Sequence, residues 1–288
     1  MSEIVNIPNG EVIDWGLHKI NAPLVWEYTK GKDVKVAILD TGCDNKHPDL
    51  AANIIAIRNF TNSSQGALDV RGHGTHVAGI VAAINNGIGM IGIAPESKLV
   101  IAKVLGDDGS GNYNHIIAGL EWAIEQDVDI INMSLGSSAQ PPEQLHTAIQ
   151  KAADKGIVII SATGNNNGEV CWPAQYDEAI AVSAVDQNDE RASFSNYGIK
   201  NEIIAPGVDI LSTFPNNKYA KLSGTSMATP IISGAAALFI SHYKEMHGHR
   251  PSRQEVYEAL MNATEDLGAT GRDDQYGVGR INLLKLFD

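Results

Sequence analysis

A set of unbroken apolar runs constrains this chain more than any other feature. "DVKVAILDTG" (33–42), "KLVIAKVLG" (98–106), "VDIINMSLG" (128–136), "IVIISATGN" (157–165) and "EAIAVSAVD" (178–186) are short, rich in branched residues and scarcely alternate with polar ones. A strand with one wet face alternates, whereas a strand that is apolar throughout is covered on both faces. Helical stretches lie between and after the runs. They are "GTHVAGIVAAI" (74–84), "YNHIIAGLEWAIEQ" (113–126), "PEQLHTAIQKAADKG" (142–156), "SMATPIISGAAALFISHYKEM" (226–246) and "PSRQEVYEALMNAT" (251–264). In the last, Ser252 and Glu255 have capping-box spacing. Strand–helix–strand repetition of this kind predicts an α/β fold, a doubly wound, mostly parallel central sheet with helices on both faces. With 288 residues, 43% of them hydrophobic, and no linker or repeat, one domain is expected.

In open parallel sheets, sites form beyond the carboxyl ends of the strands. Here those ends carry Asp40, Ser134 and Asn165, followed by small residues. Taken singly, Asp40 reads as a turn residue, His73 in "GHGTH" as a helix-entry histidine, Ser226 in "SGTSMATP" as an N-cap and Asn165 as part of a turn. A serine hydroxyl becomes a nucleophile only when an oriented base takes its proton.

Three motifs reverse the single-residue readings. "AILDTGCDNKHPDL", "RGHGTHVAGIVAA" and "SGTSMATP" resemble, in that order, the aspartate, histidine and serine motifs of the subtilisin family. The resemblance runs from about Trp15 to "YGVGRINLLKLF" and implies a subtilisin-like serine endopeptidase working through an acyl-enzyme. It implies that Ser226 attacks the scissile carbonyl, that His73 accepts and returns the proton, and that Asp40 orients the imidazole. Asn165 in "SATGNNNG" matches the family's oxyanion asparagine, with the Ser226 N–H as second donor. The family motif uses the first histidine, so His76 is expected to pack or hydrogen-bond inside the helix.

The same resemblance outlines a groove. Gly109, Ser110 and Gly111 are expected to pair with an extended peptide on one side, and Ser134, Leu135 and Gly136 on the other. Leu105, Tyr113 and Ile116 are expected to line an apolar pocket four residues before the cut, and Ala162 and Gly164 belong to the groove near Asn165. Cys171 replaces a small residue at the floor of the first pocket, which implies a shallower, uncharged pocket favouring medium apolar side chains over Phe or Tyr. "AAINNGIGMIG" (82–92) matches the family's calcium loop in length. It implies Ca²⁺ held by Asp49 and Asn86 side chains, by carbonyls of Ile84, Ile88 and Met90, and by Glu11.

Composition closes off other classes. Lys and Arg total 21 against 34 Asp and Glu, a net charge of -13, which disfavours nucleic-acid and anionic-membrane partners. No apolar stretch reaches the length of a membrane span. The start "MSEIVNIPNGEVIDWG" lacks signal-peptide character, and the two cysteines make no disulfide framework. A cytoplasmic location is therefore expected, with the oligomeric state open. Cys43 in "DTGCD" and the short start resemble the intracellular subtilisins. Residues 1–14 are expected to be an N-terminal extension, with "NIPNG" loosely resembling a cleft-blocking element, and residues 15–288 the peptidase domain. Three roles remain open at this point: broad protein turnover, dedicated trimming of leader peptides such as those of bacteriocin precursors, and a catalytically dead peptide-binding scaffold.

Overall fold

The computed structural model describes residues 3–7 and 10–287. Its strands are β1 (Glu3–Val5), β2 (Glu11–Val12), β3 (Lys35–Asp40), β4 (Ile54–Asn59), β5 (Gly89–Met90), β6 (Lys98–Lys103), β7 (Ile130–Met133), β8 (Val158–Ala162), β9 (Ala179–Val185), β10 (Ile203–Pro206), β11 (Ile210–Phe214), β12 (Lys218–Leu222), β13 (Thr264–Glu265) and β14 (Arg280–Ile281). Its α-helices are α1 (Trp15–Lys19), α2 (Ala22–Val25), α3 (His73–Ala82), α4 (Tyr113–Glu125), α5 (Glu143–Asp154), α6 (Thr225–His247) and α7 (Arg253–Asn262).

The central sheet has nine strands in the order β13-β14-β10-β9-β8-β7-β3-β6-β4. Its neighbours run parallel except the edge pair β13 and β14. The apolar runs explain the two-layered cover. Along β3, Val36 and Ile38 face one core, with Val77 and Ile80 of α3 and Ile231 and Ala235 of α6. Ala37 and Leu39 face the other, with Ile116 and Leu120 of α4 and Leu145 and Ile149 of α5. Alternate side chains thus enter opposite cores, and neither face of the strand meets water.

The chain runs from β3 out to β4 and back through β6, then crosses to β7 and onward to β10. The order reverses between β3 and β7, the place where a crevice opens at the carboxyl ends. Asp40 is the last residue of β3, Ser134 follows β7, and Asn165 lies just past β8, on three neighbouring strands.

Each expected helix and strand is present, with ends shifted by a few residues; the stretch 128–136 gives only the short strand β7. The Ser252–Glu255 capping box is formed in both directions. Other elements lie outside the patterned runs: β4, β10, the antiparallel hairpin of β11 and β12, and β1, which pairs antiparallel with β12. Two parts of the N-terminal stretch are therefore built into sheets. Glu3–Val5 joins β12, and Glu11–Val12 runs parallel to Gly89–Met90. The "NIPNG" element includes positions 8 and 9, which lie outside the described residues.

Candidate active site

His73 opens α3 beside the end of β3, and two glycines permit that approach. Gly72 has φ 94°, and a Cβ there would lie 2.2 Å from the Phe214 ring. A Cβ at Gly74 would lie 2.2 Å from the Gly42 carbonyl oxygen and 3.2 Å from Asp40. With nothing at these points, His73 Nδ1 donates to Asp40 Oδ1 at 2.7 Å. Asp40 is fully buried, and its Oδ1 also accepts from the Thr41 N–H at 2.7 Å. Burial works against the charged imidazole, but the Asp40 charge and hydrogen bond outweigh it, so the His73 pKa stands above the ordinary histidine value. His76 is different. It is buried, its Nε2 lies 3.0 Å from both the Ile210 and Ala220 carbonyls, and burial pushes its pKa down to about 3. It is a neutral structural donor whose partners lie on β11 and β12 and not, as the sequence led us to expect, inside its own helix.

A second buried carboxylate, Asp69, braces this pair. It accepts from Thr41 Oγ1, the Arg71 and Gly72 N–H groups, and the N–H and Oγ1 of Thr75. It ties the turn after Asp40 to the start of α3. Lys103, fully buried, adds a cation under the same turn. Its Nζ donates to the Thr41 carbonyl and pairs with Asp107 at 3.0 Å.

Ser226 stands in the first turn of α6, a 23-residue helix. The helix N-terminus gives its surroundings a partial positive charge. Pro230 lies four residues on and has no N–H for the Ser226 carbonyl. Ser134 Oγ supplies the missing donor at 2.8 Å. Behind it, Asn132 Nδ2 donates to Ser134 Oγ at 3.0 Å, and Ser233 Oγ of α6 donates to Asn132 Oδ1 at 2.9 Å. A closed polar chain thus links β7 to α6 inside the core. The Ser226 hydroxyl itself donates to the Ser134 carbonyl at 3.2 Å. It makes no hydrogen bond to His73 among the described residues.

Asn165 is held by its oxygen. Oδ1 accepts from the Thr225 N–H at 2.8 Å and from Thr225 Oγ1 at 3.0 Å, so Nδ2 is the end left to donate. It lines a cavity of about 240 Å³ together with Ser226, Leu135, Gly136, Ala162, Gly164 and Cys171. A neighbouring cavity of about 590 Å³ is lined by His73, Leu105, Gly109, Gly111, Tyr113, Ile116 and Ser134, and the two share Leu135, Gly136 and Ser137. Ser110 lines neither cavity; its carbonyl accepts from Gly106 N–H at 2.8 Å in the turn that bridges Leu105 to Gly111. All the other expected groove residues line one cavity or the other.

Comparison with known proteins decides what these residues belong to. Residues 31–279 match the subtilase family of S8 peptidases. The chain is 45% identical over 273 residues to an intracellular serine protease of Paenibacillus polymyxa, covering 91% of this chain and 83% of the relative. It is 46% identical over 261 residues to the major intracellular serine protease of Bacillus subtilis, with 86% and 82% covered. Subtilisin Savinase of Lederbergia lenta is 43% identical over 272 residues, with 94% and 97% covered.

The chain belongs to the subtilase family.

It is a subtilisin-like serine protease, which acts on peptide or protein substrates. No described helix is long and apolar enough to cross a membrane.

In this subtilase the wall of the smaller cavity is organised by a residue the sequence did not single out. Asn196 is fully buried. Its Oδ1 accepts from the Asn166 and Gly168 N–H groups, and its Nδ2 donates to the Thr163 and Glu169 carbonyls. It also stands 3.4 Å from Cys171 Sγ. Gly164, with φ 109°, has room for no side chain: a Cβ would fall 2.4 Å from Asn196 and 2.7 Å from Cys171 Sγ. Cys171 is free and buried, and burial raises its thiol pKa, so it serves as wall and not as nucleophile.

Subtilases commonly bind calcium. Among the described residues no group of three or more His, Cys, Asp or Glu side chains is placed to hold a metal. The expected ligand residues nevertheless gather around 84–90. Glu11 Oε1 accepts from the Asn86 and Gly87 N–H groups at 2.9 and 3.1 Å. Buried Asp49 accepts from Asn86 Nδ2, the Met90 N–H and Tyr219 OH. The set consists of two carboxylates, an amide and loop carbonyls, the all-oxygen chemistry a hard cation requires. It fits calcium with few charges, and a cation would replace hydrogen bonds now made by Asn86.

Proposed function

We propose that this subtilase is an endopeptidase of the cytoplasm in which Ser226 is the nucleophile, His73 the general base and acid, and Asp40 the group that orients and stabilises the imidazolium. The 2.7 Å contact between His73 Nδ1 and Asp40 carries the reading, since it leaves Nε2 free to take a proton at the cavity edge. Ser226 lines the adjoining cavity, which shares Leu135, Gly136 and Ser137 with the one His73 lines, and its hydroxyl must leave the Ser134 carbonyl before it can give up its proton to that nitrogen. Asn165 Nδ2 and the Ser226 N–H are the donors for the developing oxyanion. An extended substrate runs between Gly109–Gly111 and Ser134–Gly136. The residue before the cut enters the cavity walled by Cys171, and the fourth residue before it enters the cavity of Leu105, Tyr113 and Ile116. Mass-spectrometric mapping of cuts in a mixed peptide library tests this. Cleavage is expected after medium-sized apolar residues, because Cys171 and Asn196 back the pocket. A clear preference for Phe or Tyr would overturn that pocket assignment.

Calcium, in the same proposal, is held by Asp49, Asn86, Glu11 and the carbonyls of Ile84, Ile88 and Met90, where it would brace the loop against β2. Ligand binding at a hundred times its Kd stabilises by about 2.7 kcal/mol. For a chain of 288 residues that is about 4–5 °C in Tm. EDTA is expected to lower the melting temperature by that amount and calcium to restore it; an unchanged melting curve would remove the metal.

Residues 1–14 are read as an arm that restrains the cleft. β1 lies on β12, the strand that leads directly into the Ser226 turn. Deleting residues 2–10 is expected to raise kcat/KM severalfold. No gain in activity would reduce the arm to ordinary packing.

A further inference from the structure

Arg71 is a charged residue of the larger cavity to which the proposed peptidase mechanism gives no role. It lines that cavity two residues before His73 and is exposed. Its backbone is pinned, with the N–H donating to buried Asp69 at 3.0 Å. Among the described residues its guanidinium makes no hydrogen bond or ion pair, although its charge reaches Asp108 and adds to the Ser110 hydrogen bonds in lowering that carboxyl's pKa. The side chain leans toward the rim of the groove, with Nε 3.5 Å from where a Cβ on Gly109 would sit. The other charged lining residue, Asp108, spends Oδ1 on the Ser110 N–H and hydroxyl and lies beyond ion-pair distance of Arg71.

Side chains of an extended peptide alternate between faces, and residues two apart share one side. If the residue before the cut enters the Cys171 cavity, the second and fourth before it both face the larger cavity. The fourth meets Leu105 and Ile116. The second would face the part of that cavity lined by His73, Gly109 and Arg71.

We infer that Arg71 is a carboxylate receptor that makes this protease favour Asp or Glu as the second residue before the scissile bond. This rests on the peptidase-groove reading above and adds a substrate class to it. A planar guanidinium with free donors matches a carboxylate in two parallel bonds, which a neutral or cationic side chain cannot form. The chain's net charge of -13 opposes acidic substrates at long range, but salt screens that field beyond about 8 Å, and contact decides the choice.

The test uses three peptides differing only at that position, Glu, Gln or Lys, with fixed apolar residues one and four before the cut. The wild type is expected to cleave the Glu peptide about ten-fold better in kcat/KM than the Lys peptide, with Gln between. Arg71→Gln should bring the ratio close to one, and Arg71→Glu should invert it. Active sites are counted by titration with a serine-directed phosphonate, so a poorly folded variant does not distort the ratios. A wild-type ratio within two-fold, or a ratio that Arg71→Glu leaves unchanged, overturns the receptor while the groove stands. Failure to cleave any of the three, with no phosphonate labelling, overturns the groove and the receptor with it.

Discussion

Ser226→Ala is expected to lower kcat by about 10⁶-fold, the scale on which a subtilisin loses turnover without its nucleophile. The fold should not notice. The hydroxyl makes a single 3.2 Å bond to the Ser134 carbonyl, and the polar chain that positions α6 runs through the Ser226 carbonyl instead. A thermal melt within a few degrees of wild type, with no phosphonate labelling, is the accompanying result. Some rate above water should persist, because Asn165 and the groove still hold a substrate carbonyl in place; residual rates of ~10³–10⁴ over water are typical. Adding Asn165→Ala to the alanine variant is expected to reduce that residue further. A Ser226→Ala enzyme retaining more than a hundredth of its turnover would take the nucleophile away from this position.

Asp40→Asn is expected to cost about 10⁴-fold in kcat while leaving the backbone in place. An amide in this site can present N–H to His73 Nδ1 and hold the wrong tautomer. It also removes the charge that outweighs burial at the imidazole. The pH profile gives an independent sign. His73 must be neutral to accept the Ser226 proton, so wild-type activity is present at high pH and falls as pH drops through a His73 pKa raised above the ordinary 6.5. Without the Asp40 charge, burial becomes the dominant cause and lowers that pKa. The acid limb of kcat/KM for Asp40→Asn should therefore move to lower pH. A limb that stays in place, or an activity loss under ten-fold, would mean that Asp40 is not the partner His73 depends on.

Much of this site was legible before any coordinates. The strands that end at Asp40 and shortly before Ser134 and Asn165 are covered on both faces, and that pattern points to a parallel sheet; the candidate site residues come from the three motifs. What stayed hidden has physical reasons. β4 is half exposed along its length, so its run carries no clean apolar signal. β1 finds its partner at β12, more than two hundred residues away, and nothing local announces that pairing. Asp69 and Asn196 carry no motif in the sequence, yet each is buried and satisfies several backbone donors or carbonyls. Buried polar braces of this kind depend on which loops meet, and a linear chain does not display that. Arg71 opens the histidine motif, but nothing in the sequence says that its side chain lines a cavity.

The bond from Ser134 Oγ to the Ser226 carbonyl limits how this enzyme can be retuned. Pro230 leaves that carbonyl without a helical donor, and position 134 provides it while also lining the groove. Changes of substrate taste at 135 or 136 leave the attacking turn untouched. Under the proposed mechanism a change at 134 alters selectivity and reactivity together, so an engineer's library, like natural drift, has far less latitude there than at its two neighbours.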